Sequence, residues 1–155
     1  NNHPILAPYG IFKTLDGEIA VAPASDKFCS IFLECIGLIS LLENELYKNN
    51  SNRMKNRDSL NEIVNERMIS ETSDFWIKKL NKAGCPAAKI VSLPEALNSQ
   101  LIQDNEMVIS SNGPEGRQIK MTGFPVKLSD TPSQLYRSPP LLGEHTNEIL
   151  KTIKK

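Results

Sequence analysis

Apolar positions in this chain recur at two spacings, and the change between them sketches its organisation. Near the start, Ile11-Phe12-Lys13-Thr14 and Glu18-Ile19-Ala20-Val21-Ala22 flank Asp16-Gly17, with Ile19 and Val21 alternating as one face of a strand would. Asp-Gly between two such runs signals a hairpin, because glycine accepts the positive φ of a tight turn. The pattern predicts a two-stranded antiparallel ribbon with its turn at Leu15 to Gly17.

Helical spacing follows. Phe28, Ile31, Phe32, Cys35 and Ile36 fall on one face of a helix that Ser25 or Asp26 can cap and Gly37 can stop. Leu38 to Tyr47 reads as a shorter apolar helix, and Lys48-Asn49-Asn50-Ser51-Asn52 as a polar loop. Leu60, Ile63, Val64 and Met68 mark another helix, with one buried stripe. Thr72 or Ser73 caps the next, with Trp76, Leu80 and Ala83 on one side, Trp76 as core with Leu80, and Gly84 ending it. Lys89 to Val91 is a short extended piece and Leu93 to Leu97 a brief helical turn.

Beyond about Asn98 the pattern thins. Met107 to Ser110 and Gln118 to Met121 predict short strands around Asn112-Gly113-Pro114-Glu115-Gly116, and Phe124 to Leu128 is extended. Thr131 to Pro140 carries three prolines and few packing residues, as a crossing segment does. A last amphipathic helix begins near Glu144, with Ile149, Leu150 and Ile153 apolar. The expected class is α+β: a small antiparallel sheet with a cluster of helices, then an extended linker and a C-terminal helix. No glycine-rich dinucleotide fingerprint, P-loop or HExxH motif occurs.

Composition removes several function classes. Eighteen basic and eighteen acidic residues cancel, so there is no electrostatic reason to expect nucleic acid or an anionic membrane as partner. No apolar run approaches the roughly 20 residues of a membrane-spanning helix. Cys29, Cys35 and Cys85 have no ligand spacing and read as small buried hydrophobes, with no metal site and nothing that calls for an oxidising compartment. A cytoplasmic location is expected. The opening Asn1-Asn2-His3-Pro4 has neither an initiator Met nor a signal pattern, and reads as the interior of a longer polypeptide.

Six motifs then appear in order. They are Pro8-Tyr9-Gly10 with Thr14-Leu15-Asp16-Gly17; Ala24-Ser25-Asp26-Lys27-Phe28; Asn56-Arg57-Asp58 with Leu60; Ala83-Gly84-Cys85-Pro86-Ala87; Gly123-Phe124-Pro125-Val126-Lys127-Leu128-Ser129; and Pro139 to Leu150, PPLLGEHTNEIL. Their order and spacing, from about residue 8 to 150, resemble the family III CoA-transferases, the carnitine dehydratase/bile-acid-inducible group. Cys85 stands where that family usually has an apolar residue.

The resemblance implies a large Rossmann-like domain built from both chain ends, a small α+β domain between them, and two subunits interlinked as a homodimer. On that template residues 1–105 are the small domain, and 106–155 are the returning linker and C-terminal part of the large domain, with the N-terminal catalytic half absent. The implied reaction moves CoA between an acyl-CoA and a carboxylic acid through an aspartyl intermediate. Coenzyme A is a substrate, and no tightly bound cofactor is implied. No Asp of this chain matches the catalytic motif, so no catalytic residue is assigned and the chain alone is expected to be inactive.

Ala24, Ser25, Asp26 and Lys27 form the expected substrate-binding loop. In some relatives this loop is glycine-rich and covers the acyl group, whereas no glycine lies between Glu18 and Ile36 here. Plainer roles compete: helix capping for Ser25 or Asp26, a solvated first-turn position for Lys27, and capping or domain docking for His145. His3 is expected in a frayed end, and Arg53, Lys55 and Arg57 on a solvated helix face beside Asp58 and Glu62. Two other readings remain: a fragment of an α-methylacyl-CoA racemase, which shares the fold, and a non-catalytic binding or structural module. Ala24-Ser25-Asp26 is closer to the transferase form of the loop than to the racemase form, Ile-Glu-Pro.

Overall fold

A hairpin seeds the first layer. In the computed structural model, which describes residues 1–113 and 116–153, β1 (Gly10–Thr14) and β2 (Gly17–Val21) pair antiparallel, with Thr14 opposite Gly17. The connection is thus the two residues Leu15 and Asp16, and Gly17 is already in the strand. Phe12, Ile19 and Val21 point to one face and are buried, as period-two alternation requires. A third strand, β3 (Ala87–Lys89), pairs antiparallel with β2, giving the order β1-β2-β3. The sequence predicted only the ribbon and placed the later extended piece two residues further on; Ala22 N–H donating to Pro86 O helps draw Ala87–Lys89 onto the edge of β2.

Helices cover that face. α1 (Asp26–Cys35) starts at Ser25, whose Oγ accepts from Phe28 N–H at 3.3 Å, so Ser25 is the cap and Asp26 the first helical residue. Gly37 at φ +76° ends it, a conformation that would strain a residue with a Cβ. α3 (Arg57–Met68) buries Leu60, Val64 and Met68, and α4 (Ser73–Lys82), capped by Thr72, buries Trp76 and Leu80. Each of these large side chains contributes roughly 1.5–3 kcal/mol by leaving water. Gly84, at φ +83°, stops α4.

Three local expectations fail in this layer. Leu38–Tyr47 is not an α-helix but a 3₁₀ turn at Ile39–Glu43. Its N-terminal residue, Leu38, has no capping side chain, and Asn44 is extended, so the helix neither starts nor continues. The polar run after Lys48 is not a loop: α2 (Asn50–Lys55) forms there, because Asn49 caps it by accepting from Asn52 N–H at 2.9 Å. His3 is not frayed. It stacks on Tyr9 with ring centroids 4.6 Å apart, and its N–H donates to Tyr9 O at 2.9 Å.

The chain divides into two compact units, 1–90 and 91–155, earlier than the 105/106 division read from the sequence. All of the buried hydrophobic core belongs to the first. In the second, α5 (Leu93–Leu97) carries a capping box between Ser92 and Glu95. α6 (Gln100–Asp104), capped by Ser99, has no counterpart in the sequence reading. β4 (Val108–Asn112) and β5 (Gln118–Thr122) form the expected hairpin; Pro114 and Glu115 of its connection lie outside the described residues. Among the described residues Phe124–Leu128 pairs with no strand, and α7 (Thr146–Ile153) begins two residues after the expected start. Among the described residues of this unit only Ser111 is buried. A segment of this size with no buried apolar side chain gains little from its own packing.

Candidate functional site

The expected loop leaves β2 through Ala22 and the buried Pro23, and presents Ala24, Ser25, Asp26 and Lys27 at the surface. Ser25 spends its hydroxyl on capping α1. Asp26 is engaged too: its Oδ1 pairs with Nη2 of Arg53, while its backbone carbonyl accepts from Ser30 Oγ at 3.0 Å. Lys27 is exposed and makes no described ion pair. The loop therefore stands at the end of the sheet, held at Ser25 and Asp26.

Arg53 overturns the expected solvated cluster. It is 2% exposed, and besides Asp26 it reaches Ala7 O through Nε at 2.6 Å and Tyr47 O through Nη1 at 3.1 Å. A guanidinium is tolerated in the interior when its fork is matched by acceptors and a carboxylate, and here it is. Asn50 and Arg57 extend the same stripe. Asn50 accepts from Ala7 N–H at 3.1 Å and donates to Ile5 O at 2.9 Å, and Arg57 donates to His3 O at 2.8 Å. Positions 50, 53 and 57 follow helical spacing, and they meet the backbone of residues 3, 5 and 7. That spacing is the signal the sequence offered; Asn50, expected in a loop, and Arg53 and Arg57, expected on a solvated helix face, meet a strap of backbone instead.

Other polar groups have structural partners. Asp16, at the hairpin tip, accepts from Ser73 N–H at 2.7 Å and Ser73 Oγ at 2.8 Å, and from Thr14 Oγ1 at 3.2 Å. The Ser73 amide, then its hydroxyl, holds the Asp16 carboxyl below its ordinary range. Burial pushes the thiols of Cys29 and Cys85 up to about 11, and raises Cys35 as well, which is half-buried. Reactive thiolates are disfavoured at all three. His145 precedes α7, and its backbone carbonyl accepts from Ile149 N–H at 3.0 Å. Among the described residues no group of three or more His, Cys, Asp or Glu could hold a metal.

The second unit has its own groove of about 530 Å³, walled by Leu93, Pro94, Leu97, Val108 and Met121 with Lys120 at its side. Among its described lining residues there is no carboxylate, histidine or cysteine. Neither the loop nor the groove assembles a catalytic constellation, and among the described residues no helix is long and apolar enough to cross a membrane.

Comparison with known proteins decides the family. The model of CoA-transferase family III matches residues 1–146. The chain belongs to that family. Similar relatives include the succinyl-CoA:glutarate CoA-transferase of Homo sapiens, 30% identical over 151 residues, covering 97% of this chain and 34% of that protein. The acetyl-CoA:oxalate CoA-transferase of Acetobacter aceti is 27% identical over 143 residues, covering 91% of this chain and 36% of its own length. This family III chain thus spans about a third of the curated relatives it matches. Among solved structures, a CAIB/BAIF family protein from Brucella suis aligns with a TM-score of 0.75 at 27% identity, over 99% of this chain and 39% of that one. Rv3272 from Mycobacterium tuberculosis aligns at 0.81 and 21% identity, over 92% and 40%, a likeness of fold. The α+β class expected from the sequence agrees with these alignments.

Proposed function

We propose that these residues are the small domain and a returning segment of a CoA-transferase, which moves CoA from an acyl-CoA to a carboxylic acid. The observation that carries this reading is the family match across residues 1–146 in a chain one third the length of its relatives. The transferase names of those relatives favour transfer over racemisation. The reacting aspartate lies outside this chain. Its carboxylate attacks the thioester carbonyl and expels CoA thiolate, leaving a mixed anhydride. The thiolate then attacks the aspartyl carbonyl, releasing the first carboxylate and leaving an enzyme–CoA thioester for the acceptor. A carboxylate is a weak nucleophile, so such a site depends on placement and on donors for the oxyanion.

In this reading Ala24, Ser25, Asp26 and Lys27 border the substrate. The described residues of 91–153 have almost no buried side chain of their own because they pack on parts of the large domain supplied by the rest of the polypeptide. The whole enzyme is an interlinked homodimer in the cytoplasm and uses coenzyme A as substrate. The test is transfer of CoA from succinyl-CoA to a dicarboxylate, followed by chromatography. The purified 155-residue chain gives no product above background, and a longer polypeptide carrying this segment does. Turnover by the chain alone would refute the placement of the reacting carboxylate.

A further inference from the structure

The stripe that runs from α2 to the first residue of α3 does more than hold incoming backbone. Arg53 touches three stretches of chain at once: the N-terminal strap at Ala7, the corner at Tyr47, and the first residue of α1 at Asp26. Exposure is unequal across the ion pair, with the arginine side chain at 2% and the aspartate at 71%. A pair with both ends in water contributes little, since solvent screens it and two mobile side chains must be ordered. Here one end is already fixed by two backbone acceptors, so Asp26 docks onto a charge whose position is set. Asp26 also directly follows the cap residue Ser25, so its place determines where the loop backbone turns into α1.

We infer that Arg53 is a positioning residue for the Ala24–Lys27 loop, and that Asp26 is the handle it grips and not a ligand of substrate. Lysine cannot replace it, because one ammonium lacks the planar fork that serves Ala7, Tyr47 and Asp26 together. Since Nε of the same guanidinium binds Ala7, the strap leading into β1 and the loop leaving β2 are fixed to one group. The inference rests on the proposed function only in taking the loop to face substrate.

Native-state amide exchange on the 155-residue chain tests the grip. Asp26→Ala and Arg53→Lys each accelerate exchange at Phe28 and Cys29, whose N–H groups donate to Ser25 Oγ and Ser25 O, by roughly tenfold, the loss expected for one charge-assisted hydrogen bond. The double variant is no faster than the worse single one, because both remove the same interaction. Asp26→Glu, which keeps the carboxylate, restores protection. Amides of Leu60, Val64 and Leu80 report global opening, so any general destabilisation by Arg53→Lys is subtracted, and Asp26→Ala carries the result if that variant folds poorly. Unchanged exchange in the loop, or fully additive effects, overturns the inference. In the longer transferase, Asp26→Ala and Arg53→Lys raise KM for acyl-CoA by a similar factor with little change in kcat. A fall in kcat peculiar to Asp26→Ala would place that carboxylate at the reacting atoms and likewise refute the grip. Absence of transfer by the unmodified longer protein would sink the functional proposal alone, since the exchange result decides the grip without it.

Discussion

Trp76→Phe probes the core that presents the loop. Trp76 is the only tryptophan in the chain and is fully buried in α4. Its indole N–H donates to Met68 O at 2.7 Å, tying α4 to the end of α3, and Arg67 lies over the ring at 5.1 Å. Phenylalanine fills most of the same space without the donor. Met68 O is then left with a long 3.4 Å bond from Glu71 N–H, and a buried acceptor in that state costs about 1–3 kcal/mol. The smaller ring leaves a void worth about 1 kcal/mol, and the weaker cation–π contact adds about 0.5 kcal/mol. The total is about 2.5–4.5 kcal/mol. At roughly 4–8 °C per kcal/mol for a unit of this size, the midpoint falls by roughly 10–35 °C. Thermal and urea unfolding followed by far-UV circular dichroism measures it, because the variant has no tryptophan fluorescence. A loss below about 1 kcal/mol with an unchanged urea slope would show that the indole donor does not fasten α3 to α4.

Further outcomes follow from particular groups. The Asp16 carboxyl is held below its usual range by Ser73, so the stability it adds is present above the unfolded value near pH 4 and disappears as pH falls through the folded one. The gap between the unmodified protein and Asp16→Asn in urea titrations should therefore narrow steadily below about pH 4, and a gap independent of pH would exclude the carboxylate as its source. Native alkylation at pH 8 should modify Cys29 and Cys85 far more slowly than unfolded controls, since burial holds both thiols at about 11; rapid labelling at either would contradict that burial. Gly84→Ala should destabilise the first unit by about 1–2 kcal/mol, because φ of +83° strains any residue with a Cβ, and a neutral result in thermal unfolding would argue against the turn.

Legibility varied with how local the deciding interaction was. Helices α1, α3 and α4 follow from apolar spacing and from caps at Ser25, Thr72 and Gly37, which act within a few residues. The hairpin at Asp16 is equally local. α2 has a local cap at Asn49, but the partners that bury its polar face lie more than forty positions away, through Asn50 with Ala7 and Arg53 with Ala7. No window of neighbouring residues contains that information. The candidate loop was found by motif, but the hold on Asp26 was not, since its partner is 27 positions away.

By itself the sequence determined the family, the α+β class and most of the elements, because periodicity, caps and ordered motifs are written in adjacent residues. Only the tertiary structure decided that a charged side chain lies inside and ties strap to loop, and that the described residues of the second unit bury no apolar side chain. Those outcomes depend on which distant groups arrive together, and burial converts a solvated charge into a structural one only when acceptors meet it there.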